Sequence, residues 1–279
     1  MCRADLGGQN DPLVCAQCAR RWKQHGGYLD LFPEEFAADA ASGWGTRLRI
    51  STRYYDQLMA NARVAASGFT ADFAHFRTAL EDCAGRVIDV GGGNGLVRDF
   101  LPEEVDYVSI DPDVAWLEPR WDALAGSFAC LRRPLRFVRG VGEALPCRDA
   151  TFDTALALFS INHAADPPRV FREVARILRP GGRFLVALED VEPRWLDIAR
   201  GDYVDWRGWR RVRLAAETAK ALVADWPLEA DHVPVTESQV ARWTCGTFSI
   251  DERRWRGSYL MLVLRRLPVS RSRAFSRFR

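Results

Sequence analysis

The sequence predicts an α/β fold: a doubly wound, mostly parallel sheet of seven strands with an antiparallel hairpin at one edge, preceded by a small N-terminal arm and a helical cap. Three observations carry this expectation. Between Arg86 and Glu189 apolar runs alternate with helical stretches, the pattern of a parallel sheet covered on both faces. The first of these runs ends in the glycine-rich turn GGGNG, Gly91 to Gly95. Near the C-terminus two further apolar runs, TCGTFSI and SYLMLVLRRL, are joined by the short DERRWRG, which suits an antiparallel pair.

Taken in order, residues 1–33 show little periodicity and hold three of the seven cysteines, so an arm is expected there. Residues 34–82 read as a helical cap. YYDQLMANARVA from Tyr54 and TADFAHFRTALEDC from Thr70 both place apolar residues at helical spacing, with Thr70 as the expected N-cap of the second helix. Tyr54 and Tyr55 open the first helix, where they either face a pocket or pack in the core. The main domain is expected over 83–266. Its strands are RVIDV (86–90), VDYVSID (105–111), PLRFVRG (134–140), FDTALALFS (152–160) and GGRFLVALE (181–189). The clearest helix is DPPRVFREVARILRPGG, in which Val170, Phe171, Val174, Ile177 and Leu178 form one stripe. Pro167 and Pro168 suit its opening, and Pro180-Gly181-Gly182 its stop. Residues 190–243 form a Trp- and Arg-rich insertion placed to cover a substrate, and 267–279 a basic tail.

Composition narrows the classes. Hydrophobic residues make up 48% and charged residues 27%, the profile of a globular protein with a sizeable core. The formal net charge of +2 gives no strong preference for nucleic acid or membrane. The longest apolar run, YLMLVL, is far below the roughly 18 residues of a membrane span. The N-terminus carries no apolar signal-peptide core. An odd number of scattered cysteines does not make a disulfide framework, so a cytoplasmic protein with reduced or metal-bound thiols is expected.

The glycine turn points to a ligand. In an open parallel sheet, ligands bind beyond the carboxyl ends of the strands, where strand order reverses. Glycines there remove Cβ atoms and permit positive φ. Gly91, Gly93 and Gly95 give G-x-G-x-G, whereas a dinucleotide fingerprint needs G-x-G-x-x-G and finds Leu96 at its last position. Asp111, sixteen residues past Gly95 at the end of the second strand, is placed to accept from ribose hydroxyls.

VIDVGGGNG and YVSIDPD resemble the first two motifs of the class I S-adenosylmethionine-dependent methyltransferases. RGVGEALPCRDATFDTALALFSINHAADPPRVFREVARILRPGGRFLV is similar to the central block of their small-molecule-type subgroup, so the resemblance covers about residues 86–189. It implies S-adenosylmethionine as cofactor and methyl transfer to O, N or C of a small molecule, with a biosynthetic role. It also implies residue roles. Asp89 turns toward the donor's amino group, and Gly91, Gly92, Gly93, Asn94 and Gly95 admit its methionine portion. Asp111, with Pro112, holds the ribose. Val141, Gly142 and Glu143 flank the adenine, and Phe159 and Ser160 border the methyl-transfer site. The family usually has Asp where Val141 stands, so adenine relies here on backbone groups and packing. His163, in FSINHAADP, is either a general base or a loop histidine bonding backbone groups. Asn162 beside it is a candidate for orienting substrate.

Cys15-x-x-Cys18 has the spacing of a zinc knuckle. The N-terminal stretch resembles the zinc-ribbon modules that precede some methyltransferases, including ribosomal RNA enzymes. That resemblance implies one structural zinc on Cys2, Cys15, Cys18 and His25, against a metal-free arm with free thiols. The arginine-rich DWRGWRRVR and the tail keep an RNA base methyltransferase open as the alternative function. A cofactor-binding protein of this fold without methyl transfer is the other. Oligomeric state cannot be read from the sequence.

Overall fold

The computed structural model describes residues 6–7, 13–15, 21–25, 27–33, 36, 48, 55–189, 191–192, 235–256 and 259–268. Strands β1 (Leu6–Gly7), β2 (Leu13–Cys15), β3 (Arg21–His25) and β4 (Tyr28–Asp30) come first. Helices α1 (Ala62–Ala74) and α2 (Arg77–Glu81) follow. Strands β5 (Arg86–Val90), β6 (Asp106–Asp111), β7 (Phe137–Arg139) and β8 (Phe152–Leu158) lead to α3 (Pro167–Ile177) and β9 (Leu178–Leu188). Then come β10 (Val191–Glu192), β11 (Val235–Thr236), α4 (Glu237–Thr244) and the hairpin β12 (Phe248–Arg256) and β13 (Tyr259–Arg266).

The main sheet runs β1-β2-β3-β4-β7-β6-β5-β8-β9-β13-β12, eleven strands where seven were expected. The expected seven occupy the stretch from β7 to β12. The surplus comes from the N-terminus: β4 adds to β7 in parallel, and β3, β2 and β1 are added antiparallel. Parallel pairing is therefore confined to the centre, from β4 to β9, and both flanks are antiparallel. Strand order reverses between β5 and β8, because the chain leaves β5 for β6 and β7 on one side and returns to β8 on the other.

Both faces of the central strands are buried, and the pleat assigns alternate residues to each. Ile88, Val186 and Leu188 join Val170, Phe171 and Val174 of α3 in one core, while Val87, Leu185 and Ala187 join Phe76, Leu80 and Phe100 in the other. Helix α3 begins where the prolines placed it, with the Asp166 side chain accepting from Arg169 N at 3.1 Å. It ends sooner than expected: β9 already starts at Leu178, so Pro180-Gly181-Gly182 lies within the strand's span.

Two local expectations change. Thr70 does not cap a helix. It lies inside α1, whose cap is Asn61, accepting from Val64 N at 3.2 Å. DERRWRG is not a turn, because β12 runs through to Arg256. The charges that mimic a turn belong to an edge strand, where Arg253 pairs with Glu237 and Arg265 with Asp251, and charge discourages further pairing. Among the described residues no helix is long and apolar enough to cross a membrane.

The insertion leaves and re-enters at one place. Val191 pairs in parallel with Val235, and both are buried. Residues 193–234, including Trp195, Trp206, Trp209 and Trp226, lie outside the described residues, as do Tyr54 and the tail from 269. Tyr55 packs in the core, its ring 4.2 Å from that of Trp116 and 5.4 Å from that of Trp121.

Candidate functional site

At the switch point, the carboxyl ends of β5 and β8 are tied together by Ser160, whose Oγ donates to the Val90 carbonyl at 2.6 Å. The chain leaves β5 into the glycine turn with φ of +75° at Gly91 and +50° at Gly93. A Cβ at Gly91 would lie 2.3 Å from Ser160 Cβ, and one at Gly93 would lie 2.7 Å from the Trp116 ring. The turn is therefore fitted against the chain's own side chains as well as curled at a ligand-binding edge. Gly92 leaves room for the Asp89 carboxylate, which folds back beneath it. Gly95 ends the turn and leads into a five-residue 3₁₀ segment, Leu96–Phe100, in place of a full α-helix.

Three polar side chains converge under this turn. Asp89 is buried and accepts from the Tyr107 hydroxyl at 2.8 Å. Burial pushes its carboxyl up to about 6, with the Tyr107 bond pulling the other way. Asp111, also buried, accepts from Gly93 N at 3.1 Å and from Asp113 N at 2.8 Å. Its carboxyl is pushed up to about 8, chiefly by burial and further by the Asp113 charge, against the two backbone donors. Asn94 is buried, and its Nδ2 has no hydrogen-bond partner among the described residues. A buried amide donor without an acceptor is costly, and the acidic end of an amino-acid ligand would satisfy it. The donor set thus fits S-adenosylmethionine: an idle N–H donor at the turn, a carboxylate one strand away, and left-handed backbone between.

Beyond Asp111 lies the carboxyl end of β7. Arg139 Nε donates to the Pro112 carbonyl at 3.4 Å, and Gly140 N to the Asp111 carbonyl at 3.1 Å. Val141 is almost wholly buried, and Gly142 has no room for a Cβ against Val90 and Val170. Glu143 Oε1 accepts from Ala165 N at 2.7 Å and Asp166 N at 3.2 Å, tying this loop to the start of α3. Burial raises its carboxyl, while those backbone donors pull it down.

On the other side of the switch point, Phe159 takes φ of +62°, an expensive conformation for a residue with a Cβ. Its ring stands 4.9 Å from Tyr259 and 6.5 Å from Phe76, both edge-on. Asn162 is fully buried and clamps the backbone of Glu189: Nδ2 donates to its carbonyl at 2.7 Å and Oδ1 accepts from its N–H at 2.9 Å. That fixes the exit from β9 and removes Asn162 as a substrate-orienting group. His163 closes the short 3₁₀ turn Ile161–His163, half-exposed at the same edge. Tyr107, Arg139 and Tyr259 escaped the sequence reading. Nothing local distinguishes them from ordinary strand residues, and only strand adjacency brings them to the site.

Of the four metal candidates, Cys2 and Cys18 lie outside the described residues. Cys15 ends β2, and His25 ends β3, stacked on Tyr28 at 4.9 Å. Because Val14 pairs with Arg21, Cys15 lies just beyond the start of β3 and His25 at its far end, more than about 13 Å away, too far for the two to share one zinc as expected. Among the described residues no three His, Cys, Asp or Glu side chains surround a common point. Cys83, Cys130, Cys147 and Cys245 are free thiols.

The fold and the edge define a class, and comparison with known proteins agrees with it. Residues 88–186 match a family described as a methyltransferase domain. Over residues 88–186 the chain is therefore similar to methyltransferase domains. Among its relatives, an uncharacterized methyltransferase of Mycobacterium tuberculosis (strain H37Rv) is 37% identical over 105 residues, covering 37% of this chain and 40% of that one. The uncharacterized methyltransferase YcgJ of Bacillus subtilis is 34% identical over 104 residues, covering 36% of this chain and 39% of its own. The chain thus spans well under half the length of the curated relatives it matches. Two solved structures share the fold. A Burkholderia thailandensis 1,6-didemethyltoxoflavin-N1-methyltransferase, with bound 1,6-didemethyltoxoflavin and S-adenosylhomocysteine, is similar with a TM-score of 0.51 at 19% identity, covering 91% of this chain and 98% of that one. A Thermotoga maritima S-adenosylmethionine-dependent methyltransferase, described as a possible histamine N-methyltransferase, has a TM-score of 0.51 at 16% identity, covering 81% and 100%.

Proposed function

We propose that this protein transfers a methyl group from S-adenosylmethionine to an oxygen, nitrogen or carbon of a small molecule, in a biosynthetic pathway. The observation that carries the reading is the pairing of Asp111 with the glycine turn. A buried carboxylate on β6 holds the backbone of Gly93, beside an idle Asn94 donor, at the point where strand order reverses. The fold shared over nearly the whole chain with a 1,6-didemethyltoxoflavin-N1-methyltransferase is compatible with a small-molecule substrate.

When bound, the donor supplies a methyl already activated on a sulfonium, so the chain's task is alignment and exclusion of water. Asn94 and the turn hold the amino-acid end, with Asp89 fixed in place by Tyr107. Asp111 holds the ribose, and Val141, Gly142 and Glu143 flank the base. Phe159 and Ser160 border the acceptor, and His163 takes the proton that an O–H or N–H acceptor loses. The insertion of residues 190–243 is read as the cover over the acceptor, and Val191 and Val235 pair within it. In this reading residues 1–33 are an arm, 34–82 a cap and 83–266 the catalytic domain, and one structural zinc sits on Cys2, Cys15, Cys18 and a fourth ligand. Metal analysis of the purified protein tests the zinc: about one equivalent is expected, lost on Cys15→Ser.

The activity test is transfer of labelled methyl from S-adenosylmethionine to a metabolite extract and to RNA in parallel. Label in the small-molecule fraction is expected. Label in RNA alone would replace the substrate class. Label in neither, from protein that binds S-adenosylhomocysteine, would leave a binding protein.

A further inference from the structure

The side of the site beyond Asp111 is closed by residues from the far N-terminal end of the chain. Because β4 lies parallel to β7, with Asp30 beside Arg139, its end emerges at the same edge as the glycine turn and Asp111. Leu31 N donates to the Arg139 carbonyl at 2.9 Å, and Phe32 N to Asp30 Oδ1 at 3.1 Å. Arg139 then locks the junction. Its Nη1 donates to Asp30 Oδ2 at 3.0 Å, its Nε reaches the Pro112 carbonyl, and its guanidinium lies 4.8 Å over the Phe32 ring. From this anchor Phe32 and Phe36 pack onto Val141 and Ala144, which are only 1% and 7% exposed. The Arg169 guanidinium, from the start of α3, lies 5.6 Å over Phe36.

Strand order says what this patch faces. A donor with its amino-acid end at the β5 turn and its ribose at Asp111 on β6 has its base at the next carboxyl end, that of β7. There Phe32 and Phe36, themselves only partly buried, cover Val141. Asp30 is held by Arg139 and Phe32 N, and Glu143 Oε1 by two backbone N–H groups at the start of α3; Glu143 Oε2 has no partner among the described residues, but Glu143 is only 1% exposed. We infer that Phe32 and Phe36, delivered by the N-terminal strand, form the base-side wall of the donor site, and that this wall grips the purine by apolar contact while leaving its 6-amino group unread by any side-chain carboxylate. The inference rests on the donor reading above. It makes the N-terminal segment part of the cofactor site.

Calorimetry on the full chain tests it with two probes, S-adenosylhomocysteine and its analogue lacking the 6-amino group. On the unaltered protein the two should bind within about threefold of each other, whereas a charged acceptor on that amino group would separate them by about tenfold or more. Phe32→Ala and Phe36→Ala should each weaken both probes together by about tenfold, and Phe36→Leu should recover most of the loss. Thermal melts establish that each variant is folded. A gap of tenfold or more between the probes on the unaltered protein would overturn the wall alone. It would assign the amino group to Glu143 Oε2, a buried carboxylate oxygen with no hydrogen-bond partner among the described residues. Folded alanine variants that bind as tightly as the parent, or more tightly, would also overturn the wall. No uptake of S-adenosylhomocysteine by the unaltered protein would overturn the donor reading, and the wall with it.

Discussion

On the β5–β6 side of the carboxyl edge, polar side chains hold backbone close to them in space: Asp111 grips Gly93 and Asp113, and Ser109 Oγ donates to the Gly93 carbonyl at 2.8 Å. On the β8–β9–β13 side, aromatic rings hold one another, with Phe159 meeting Phe76 and Tyr259, and one buried amide pins the end of β9. Bonds to one's own turn fix its conformation through their directional geometry. Ring packing defines a surface whose residues can be exchanged at modest cost. In the proposed reading the donor lies on the first side and the acceptor on the second.

If the division is real, each half can be damaged without the other. The largest effect should come from His163→Gln. Methyl transfer to the acceptor found in the labelling screen should fall by about 100-fold or more, while calorimetry shows the affinity for S-adenosylhomocysteine within twofold. A parallel loss of both would erase the boundary between the halves. Asp111→Ala comes next. It removes the proposed ribose acceptor and strands two backbone N–H groups, so affinity for S-adenosylhomocysteine should drop by about 10- to 100-fold. A Kd equal to the parent's would place the ligand elsewhere.

Asn162→Ala should act on the aromatic half through stability alone. Losing both bonds to Glu189 should cost about 1–3 kcal/mol in urea denaturation, with S-adenosylhomocysteine affinity nearly unchanged. The smallest effect is a dependence on pH. Asp111 is raised to about 8 and Asp89 to about 6, against an ordinary 3.8. Between about pH 4 and 8 the folded protein keeps protons that the unfolded chain has lost, so the stability these groups contribute is full below that window and falls as pH rises through it. Melting temperatures of Asp111→Asn relative to the parent should therefore climb by a few degrees from pH 6 to 8. A constant difference would mean that Asp111 is already ionised at pH 6.

The polar half was largely legible. The turn Gly91–Gly95, the carboxylate at 111 and strand β5 lie where spacing put them, because a strand, a turn and the next strand are set by local backbone geometry. Misreadings fell where a local signal has two meanings. Thr70 is a good cap, but Asn61 takes the role earlier and the helix runs through Gly68. Charged residues from Asp251 to Arg254 look like a turn and form an edge strand.

Alternation of apolar runs with helical stretches, and one glycine turn of the right spacing, were enough by themselves to determine a layered sheet and the edge at which a ligand is proposed to bind. Those features are written between residues a few positions apart. What the tertiary structure alone decided is who stands beside whom: Tyr107 under Asp89, Tyr259 against Phe159, and Phe32 and Phe36 over Val141. Such contacts join segments many residues apart, and they exist only because strand order makes neighbours of β4 and β7 and of β9 and β13. No local pattern in the chain encodes that adjacency; it comes from packing the whole sheet at once.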